Sequence, residues 1–547
     1  MVTSRVNPEN RERPSPWKRL SLLGGGRSRY AVLARSLSAA AGGGLLYWAS
    51  PPRELWWLAP VALAVLALVV RGRRARAGFG YGFVFGLAYM LPLLGWLLDF
   101  LGGQFGPWPW LGVGLVEALF LGIAGAGMAR AGTLRLAPVW QSAVFVTAEL
   151  LRSALPFGGF PWGRLAFTQT GGALLPLASV GGTALVGFGV ALTGTALAEL
   201  VRRLTRLVRS RRSPTGDAGR ARPLRGLSVP VAGTLLPVVL GLAVAPTVGT
   251  APESGTARVA VVQGNAPNVG LDLLYRDRQL HANHVRAARE LVAEVEAGRV
   301  ARPDLVVLPE QVGSWGPERR DPALRDVVER LGVPVVVGGL ATNSTGELSN
   351  RIVRWGPGEG AGEEYVKQHL VPFAEKIPLR SVAGAVSPFV RRFDRDMVSG
   401  DEPGVLNAGP VRLGVGICYD VAYDDVFRGA ARAGANLFAV PTNNAWYGRS
   451  EMSYQQLAMS RLRAVEHGRS MLVAATSGVS AVVRPDGSVA QRTDLFTADT
   501  LVAEVPLRTS TPPATSIGEY FTWAVAALGV LAVVLSTLRG RRARRGE

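Results

Sequence analysis

The sequence predicts a two-part protein: a polytopic bundle of about eight membrane-spanning helices, with a large α/β domain inserted before the last of them. Three observations predict it. Apolar stretches of roughly 20 residues recur, each long enough to cross a bilayer as a helix. Lys and Arg are concentrated in alternate connections between those stretches. Between residues 250 and 519, short β-branched runs alternate with helical ones, the pattern of an α/β domain.

Taken in order, residues 1–29 are polar, basic and proline-containing, and read as a cytoplasmic tail rather than a cleavable signal. Seven spans are expected near 31–50, 55–70, 79–101, 109–129, 137–155, 176–200 and 228–249, forming a membrane domain over 30–249. An eighth is expected at 520–538, followed by a basic tail at 539–547. The second is short and the fifth carries polar residues. Lys and Arg number 7 in 1–29, 4 in 71–77, 2 in 130–136, 9 in 201–227 and 5 in 539–547. The intervening short loops hold Arg53, Arg152, Arg164 and little else. Basic residues stay on the cytoplasmic side of a bilayer. Both termini and the loop 201–227 are therefore placed in the cytoplasm, and 250–519 outside it.

Charge tests the same layout. The chain of 547 residues carries a net charge of +20, which alone would admit nucleic-acid binding. Segment 250–519 holds 29 Lys and Arg against 31 Asp and Glu, close to neutral. The excess belongs to the topogenic flanks, and the nucleic-acid reading loses its support. One cysteine excludes an intramolecular disulfide, and four histidines make a metal centre unexpected. No metal and no organic cofactor is expected.

Within 250–519, ARVAVVQG (257–264), DLVVLPE (304–310), VPVVVGG (333–339), RLGVGICYD (412–420), NLFAVPTN (436–443) and MLVAATS (471–477) read as buried strands. Residues 275–297 and 452–468 read as helices, and RPDGSV (484–489) as a hairpin turn. Chemistry concentrates where such strands end. LPE closes on Glu310. YVKQHLVPFAEKIPL holds Lys367 and Glu375 eight residues apart. GVGICYD holds Cys418, the single cysteine. Together a carboxylate, an ammonium and a thiol make a covalent catalyst: base, oxyanion stabiliser and nucleophile. Singly, each has an ordinary structural reading, and a lone cysteine is by default a small buried hydrophobe.

LPE, YxKxHLVPFxE, GxxICYD, NNAWYG (443–448) and RAxExGR (463–469) resemble the nitrilase, or carbon–nitrogen hydrolase, superfamily. With the spans, GFPW (Gly159–Trp162) and QGN (263–265), the chain is similar to the apolipoprotein N-acyltransferase family within it. The resemblance implies a nitrilase-like αββα sandwich over 250–519. It implies Glu310 as general base, Lys367 as the lysine that stabilises the tetrahedral intermediate, and Cys418 as nucleophile. Glu375 matches a supporting glutamate, Tyr419 a backbone oxyanion donor, and Asp420 stands where many relatives carry Glu. Asn350, Asn444, Trp446 and Phe389 are expected near a substrate pocket. Many relatives carry Trp shortly after QGN; here QGNAPNVGLDLLY has none, as in an actinobacterial-type branch.

The implied reaction is ping-pong acyl transfer in the bacterial cell membrane, by a monomer. A phospholipid is the donor, and the α-amino group of a diacylglyceryl-cysteine lipoprotein is the acceptor. A membrane-tethered amidase and an inactive lipoprotein-binding scaffold are the alternatives. Segment 377–399 mixes apolar residues with Arg391, Arg392 and Arg395 and is expected to lie at the membrane interface as a lid. Arg463 and Glu466 are expected to form a buried structural pair. Glu117 and Glu149 fall inside predicted spans, where a carboxylate is costly unless paired or wet; a polar-cavity role and a structural one are equally open.

Overall fold

A computed structural model describes residues 24–211, 226–268, 270–316, 320–386, 390 and 395–545. The first half is helical: α1 (Gly24–Ala49), α2 (Leu58–Val70), α3 (Ala75–Leu93), α4 (Trp96–Phe105), α5 (Trp108–Ala131), α6 (Ala137–Arg152), α7 (Ala178–Arg211) and α8 (Ser228–Val244). Helices stand at every place where a span is expected. Among the described residues, four are long and apolar enough to cross a membrane, Trp108–Ala131, Leu175–Arg209, Ser228–Thr247 and Pro513–Arg542. The third expected span is broken: α3 and α4 bend by 81°, and the pair makes a fifth if counted as one. The expected count of eight is thus not reached by length and composition. Helix α2 has 13 residues and α6 has 16, and α1 is diluted by Gly, Ser and Arg.

Close approach within the bundle comes from small residues at four-residue spacing. A Cβ on Gly78 would lie 2.5 Å from the Gly125 carbonyl oxygen, and one on Gly82 would lie 2.4 Å from that of Leu121. Helices α3 and α5 therefore meet backbone to backbone. Outward, α8 leaves Leu235, Leu236, Val239 and Leu242 exposed, an apolar face without protein against it.

The second half is an α/β domain: β1 (Thr256–Gln263), α9 (Asp277–Glu296), β2 (Leu305–Val307), β3 (Gly313–Trp315), α10 (Pro322–Leu331), β4 (Val335–Thr342), β5 (Leu348–Gly356), β6 (Gly360–Val366), α11 (Arg380–Val386), β7 (Val405–Ala408), β8 (Val411–Val415), α12 (Asp424–Arg432), β9 (Leu437–Thr442), α13 (Met452–His467), β10 (Met471–Ala475), β11 (Ala481–Val483), β12 (Val489–Arg492) and β13 (Asp499–Pro506). Helix α14 (Pro513–Arg545) follows, starting earlier than the span expected at 520–538. The first sheet runs β13-β1-β2-β4-β5-β6 with β3 beside β4, and the second runs β12-β11-β10-β9-β8-β7. Each has a parallel centre, β1-β2-β4 and β8-β9-β10, and antiparallel edges.

Side-chain parity stacks the layers. On β1, Val259 and Val261 meet Leu413, Val415 and Leu437 of the second sheet. Ala260 and Val262 face the other way, onto α9 and α10. Helices α12 and α13 cover the outer face of the second sheet and join the core of the helical bundle. The layers read helix, sheet, sheet, helix, as the resemblance implies. The long parallel strands end on one side, and the chemistry gathers there.

Candidate active site

Three strand ends converge. Glu310 follows β2, where Gly338 on β4 clears the way: a Cβ there would lie 2.5 Å from the Glu310 Cα. Lys367 directly follows β6. Cys418 follows β8 on a tight turn, with φ of 49°, the left-handed region that L side chains enter at a cost. Such a turn lifts the thiol clear of the strand.

Lys367 is almost fully buried between two carboxylates. Its Nζ lies 3.5 Å from Glu310 Oε1 and 3.0 Å from the Glu375 carboxylate. Asn350 Nδ2 donates to both acids, at 2.6 Å to Glu310 and 2.8 Å to Glu375. The Asn443 backbone N–H donates to Glu310 Oε2, and that of Val371 to Glu375 Oε2, each at 2.8 Å. Burial opposes the ammonium of Lys367, but Glu375 and Glu310 outweigh it and hold the lysine well above its ordinary value. Cys418 is 5% exposed. Burial pushes its thiol up to about 12, the Glu310 charge adds to that, and Lys367 opposes it. Free of substrate, the sulfur rests protonated, with an acid–base partner beside it.

The supporting residues fall into distinct places. Asp420 does not face the triad's open side. Its carboxylate accepts from the backbone N–H of Ile417 and of His369 and from the Tyr365 hydroxyl, each at 2.9 Å, so it staples the cysteine turn to β6 and to the segment after Lys367. The Tyr419 ring stacks on Phe160 and Trp162, and its hydroxyl donates to the Gly159 carbonyl at 3.2 Å. GFPW of the bundle therefore packs on the residue next to the nucleophile. Asn350 is buried inside the carboxylate–lysine cluster rather than on a pocket wall. Asn444 spends both amide ends internally, accepting from Thr442 Oγ1 at 2.6 Å and donating to Ser453 Oγ at 3.1 Å. Trp446 is half-buried edge-on to Phe100 of α4. Phe389 lies outside the described residues, as do 387–388 and 391–394 of the expected lid; residues 380–386 of it form α11.

The bundle holds its own charges by pairing. Arg152 Nη1 binds Glu117 at 2.8 Å and the carbonyls of Phe160 and Trp162 at 3.0 and 2.5 Å, while Nη2 reaches that of Gly163 at 3.2 Å. Glu149 accepts from the Leu165 backbone N–H at 2.9 Å. Both buried glutamates thus shape the GFPW loop. The expected pair Arg463–Glu466 is present, and Arg463 and Arg164 also clamp Asp424. No group of His, Cys, Asp or Glu among the described residues is arranged to hold a metal.

Residues 42–196 match the apolipoprotein N-acyltransferase N-terminal domain, and residues 258–512 match the carbon–nitrogen hydrolase model. The chain is 37% identical to the apolipoprotein N-acyltransferase of Mycolicibacterium smegmatis, over 95% of this chain and 88% of that one. This chain belongs to the apolipoprotein N-acyltransferase family. The relative from Azotobacter vinelandii is 31% identical over 93% of this chain and 96% of its own length. The family motifs pointed to the carboxylates, the lysine and the thiol, gave no role to Asn443 within NNAWYG, and did not reach Thr442 or Gln456. Thr442 ends β9 and Asn443 follows it, and β9 runs parallel beside β8, so the strand-end rule could have found them. Gln456 lies on α13 beside Gln455, in a helix buried along most of its length, and only its contact with Cys418 Sγ singles it out.

Proposed function

We propose that the chain transfers a fatty acyl group from a phospholipid to the α-amino group of the N-terminal diacylglyceryl-cysteine of lipoproteins, through a thioester on Cys418. The observation that carries this reading is the buried Lys367 held between Glu310 and Glu375, beside a thiol on a strained turn that the membrane bundle itself braces.

Glu310 takes the thiol proton, and the thiolate attacks the ester carbonyl. The S–C bond forms, and the oxyanion is met by the Lys367 ammonium and the Tyr419 backbone N–H. The ester C–O bond then breaks, Glu310 returns the proton to the departing glycerol oxygen, and lysophospholipid leaves. In the second half the acceptor amine attacks the thioester. The N–C bond forms, the C–S bond breaks, and the amine's proton passes through Glu310 to the sulfur. Glu375 and Asn350 position the lysine and the base. Metal chemistry has no step to perform in this sequence.

Both substrates are lipids, so the triad must open to the bilayer. Phe157 of the bundle meets Phe373 edge-on, and both are about half exposed. Leu379 and Val382 are more exposed still. These residues form an apolar rim suited to acyl chains. We place the helices of the first half and α14 across the membrane in eight passes, with 250–519 on the extracytoplasmic side and both termini inside.

Mass spectrometry of the purified protein mixed with phosphatidylethanolamine tests the reading. A fatty-acyl increment on Cys418, discharged by a diacylglyceryl peptide amine and absent from Cys418→Ala, is expected. An unmodified Cys418, with hydrolysis of small amides instead, would refute it in favour of an amidase.

A further inference from the structure

Helix α13 carries two adjacent glutamines that serve two different neighbours. Gln455 faces the bundle. It accepts from the Trp162 indole N–H at 2.6 Å and donates to the Leu93 carbonyl at 3.1 Å, at the bend between α3 and α4. Gln456 faces the catalytic domain and is fully buried. Its Nε2 lies 3.6 Å from Cys418 Sγ, and its Oε1 lies 3.1 Å from Thr442 Oγ1, whose single proton it shares with the nearer Asn444 Oδ1. A carboxamide buried this deeply is costly unless its ends are bonded. Here the oxygen shares the Thr442 proton, and the amide N–H has the sulfur as its partner.

We propose that Gln456 is a further catalytic residue, donating a hydrogen bond to the sulfur and stabilising the Cys418 thiolate both as it attacks and as it is expelled from the thioester. The inference rests on Cys418 being the nucleophile. The site has need of such a donor. Burial and the Glu310 charge disfavour the thiolate, the one ammonium is shared between two carboxylates, and the Thr442 hydroxyl that also favours the thiolate has a single proton drawn on by Asn444 and Gln456. A neutral N–H lends stabilisation to the charged sulfur without competing for Lys367. Its place is set from the bundle, because Gln455 anchors the same turn of α13 to Leu93 and Trp162.

Single-turnover thioester formation in the full-length, detergent-solubilised protein tests this, with phosphatidylethanolamine as donor and intact mass as readout, together with the infrared S–H stretch of Cys418. Iodoacetamide alkylation of Cys418 is followed in parallel. Gln456→Leu is expected to slow both by about tenfold to hundredfold, the worth of one hydrogen bond to a charged group. It also shifts the infrared S–H stretch of Cys418, the chain's single thiol, because the sulfur loses its hydrogen-bond donor. Gln456→Glu keeps the shape of the side chain, so it reports even where the leucine disturbs folding. Its carboxylate opposes the thiolate and slows both reactions likewise. Wild-type rates in a folded variant would overturn the proposal, and so would slower rates with an unmoved S–H stretch, which a merely structural role produces. If the wild type itself carries no acyl group on Cys418, the nucleophile assignment has failed, and alkylation alone then decides whether Gln456 touches the thiol.

Discussion

Replacing Arg152 by lysine keeps the positive charge in the bundle and removes the fork. The guanidinium now binds Glu117 and three carbonyls of the GFPW loop, at Phe160, Trp162 and Gly163. An ammonium is a point donor on a different stem. Held by Glu117, it reaches at most one of those carbonyls. Two bonds to a charged donor are lost, each worth about 1.5–3 kcal/mol, so placement of the loop weakens by about 3–6 kcal/mol. That loop stacks on Tyr419, one residue from the thiol, while the triad's own hydrogen bonds stay intact. A displacement of about 1 Å near reacting atoms costs about a hundredfold in rate. Arg152→Lys should therefore lower single-turnover acylation of Cys418 by about that factor while the protein remains folded, and should expose 156–163 to protease. An unchanged acylation rate, with the loop equally protected, would refute the idea that the bundle braces the nucleophile through this arginine.

Other outcomes follow from the same structure. His284 is fully buried, and burial lowers it to about 4. A histidine depressed when folded binds more protons when unfolded, so its contribution is complete above about pH 6.5 and declines as pH falls below that value. Between pH 6.5 and 4 the loss approaches about 3 kcal/mol; His284→Gln should flatten the fall in Tm, and an unaltered slope would show that other groups set it. Burial and the neighbouring arginines depress His467 in the same direction, so the slope is reduced rather than abolished. Gly82→Leu should force α3 from α5, since even a Cβ would sit 2.4 Å from the Leu121 oxygen; overpacking costs of about 1–3 kcal/mol or more are expected, read as a lower Tm in detergent. In a Cys418→Ala background, a cysteine at Asp486 should react with a membrane-impermeant maleimide in spheroplasts, whereas one at Ser213 should react only after lysis. The reverse pattern would invert the topology.

Much of this architecture was legible because its signals are local. Apolar runs and β-branched strands declare themselves in a few residues, and KQHLVPFAE brings Lys367 and Glu375 into one short segment. The bend between α3 and α4 was not legible. GLAYMLPLLGWLLDF carries a single charge, at Asp99, and hydropathy cannot see that Pro92 and Gly95 interrupt it. The polar side chains were hardest. Asp420 stands where many relatives carry Glu, and its supporting role rests on donors from Ile417, His369 and Tyr365, the last two of which only tertiary structure brings to it. Glu117 and Glu149 could be weighed evenly between function and structure until Arg152 and Leu165 were found beside them. Pairing across long sequence separations decides such cases, and a single sequence carries no record of it.

The turn at Cys418 places an L side chain where glycine would sit without cost. Glycine there would relieve about 1–2 kcal/mol of steric opposition and would empty the buried space the thiol fills, two effects of opposite sign. Turnover, not stability, therefore holds this codon. A copy released from the demand for acyl transfer could lose its sulfur at little cost to the fold, and would shed its chemistry well before its shape.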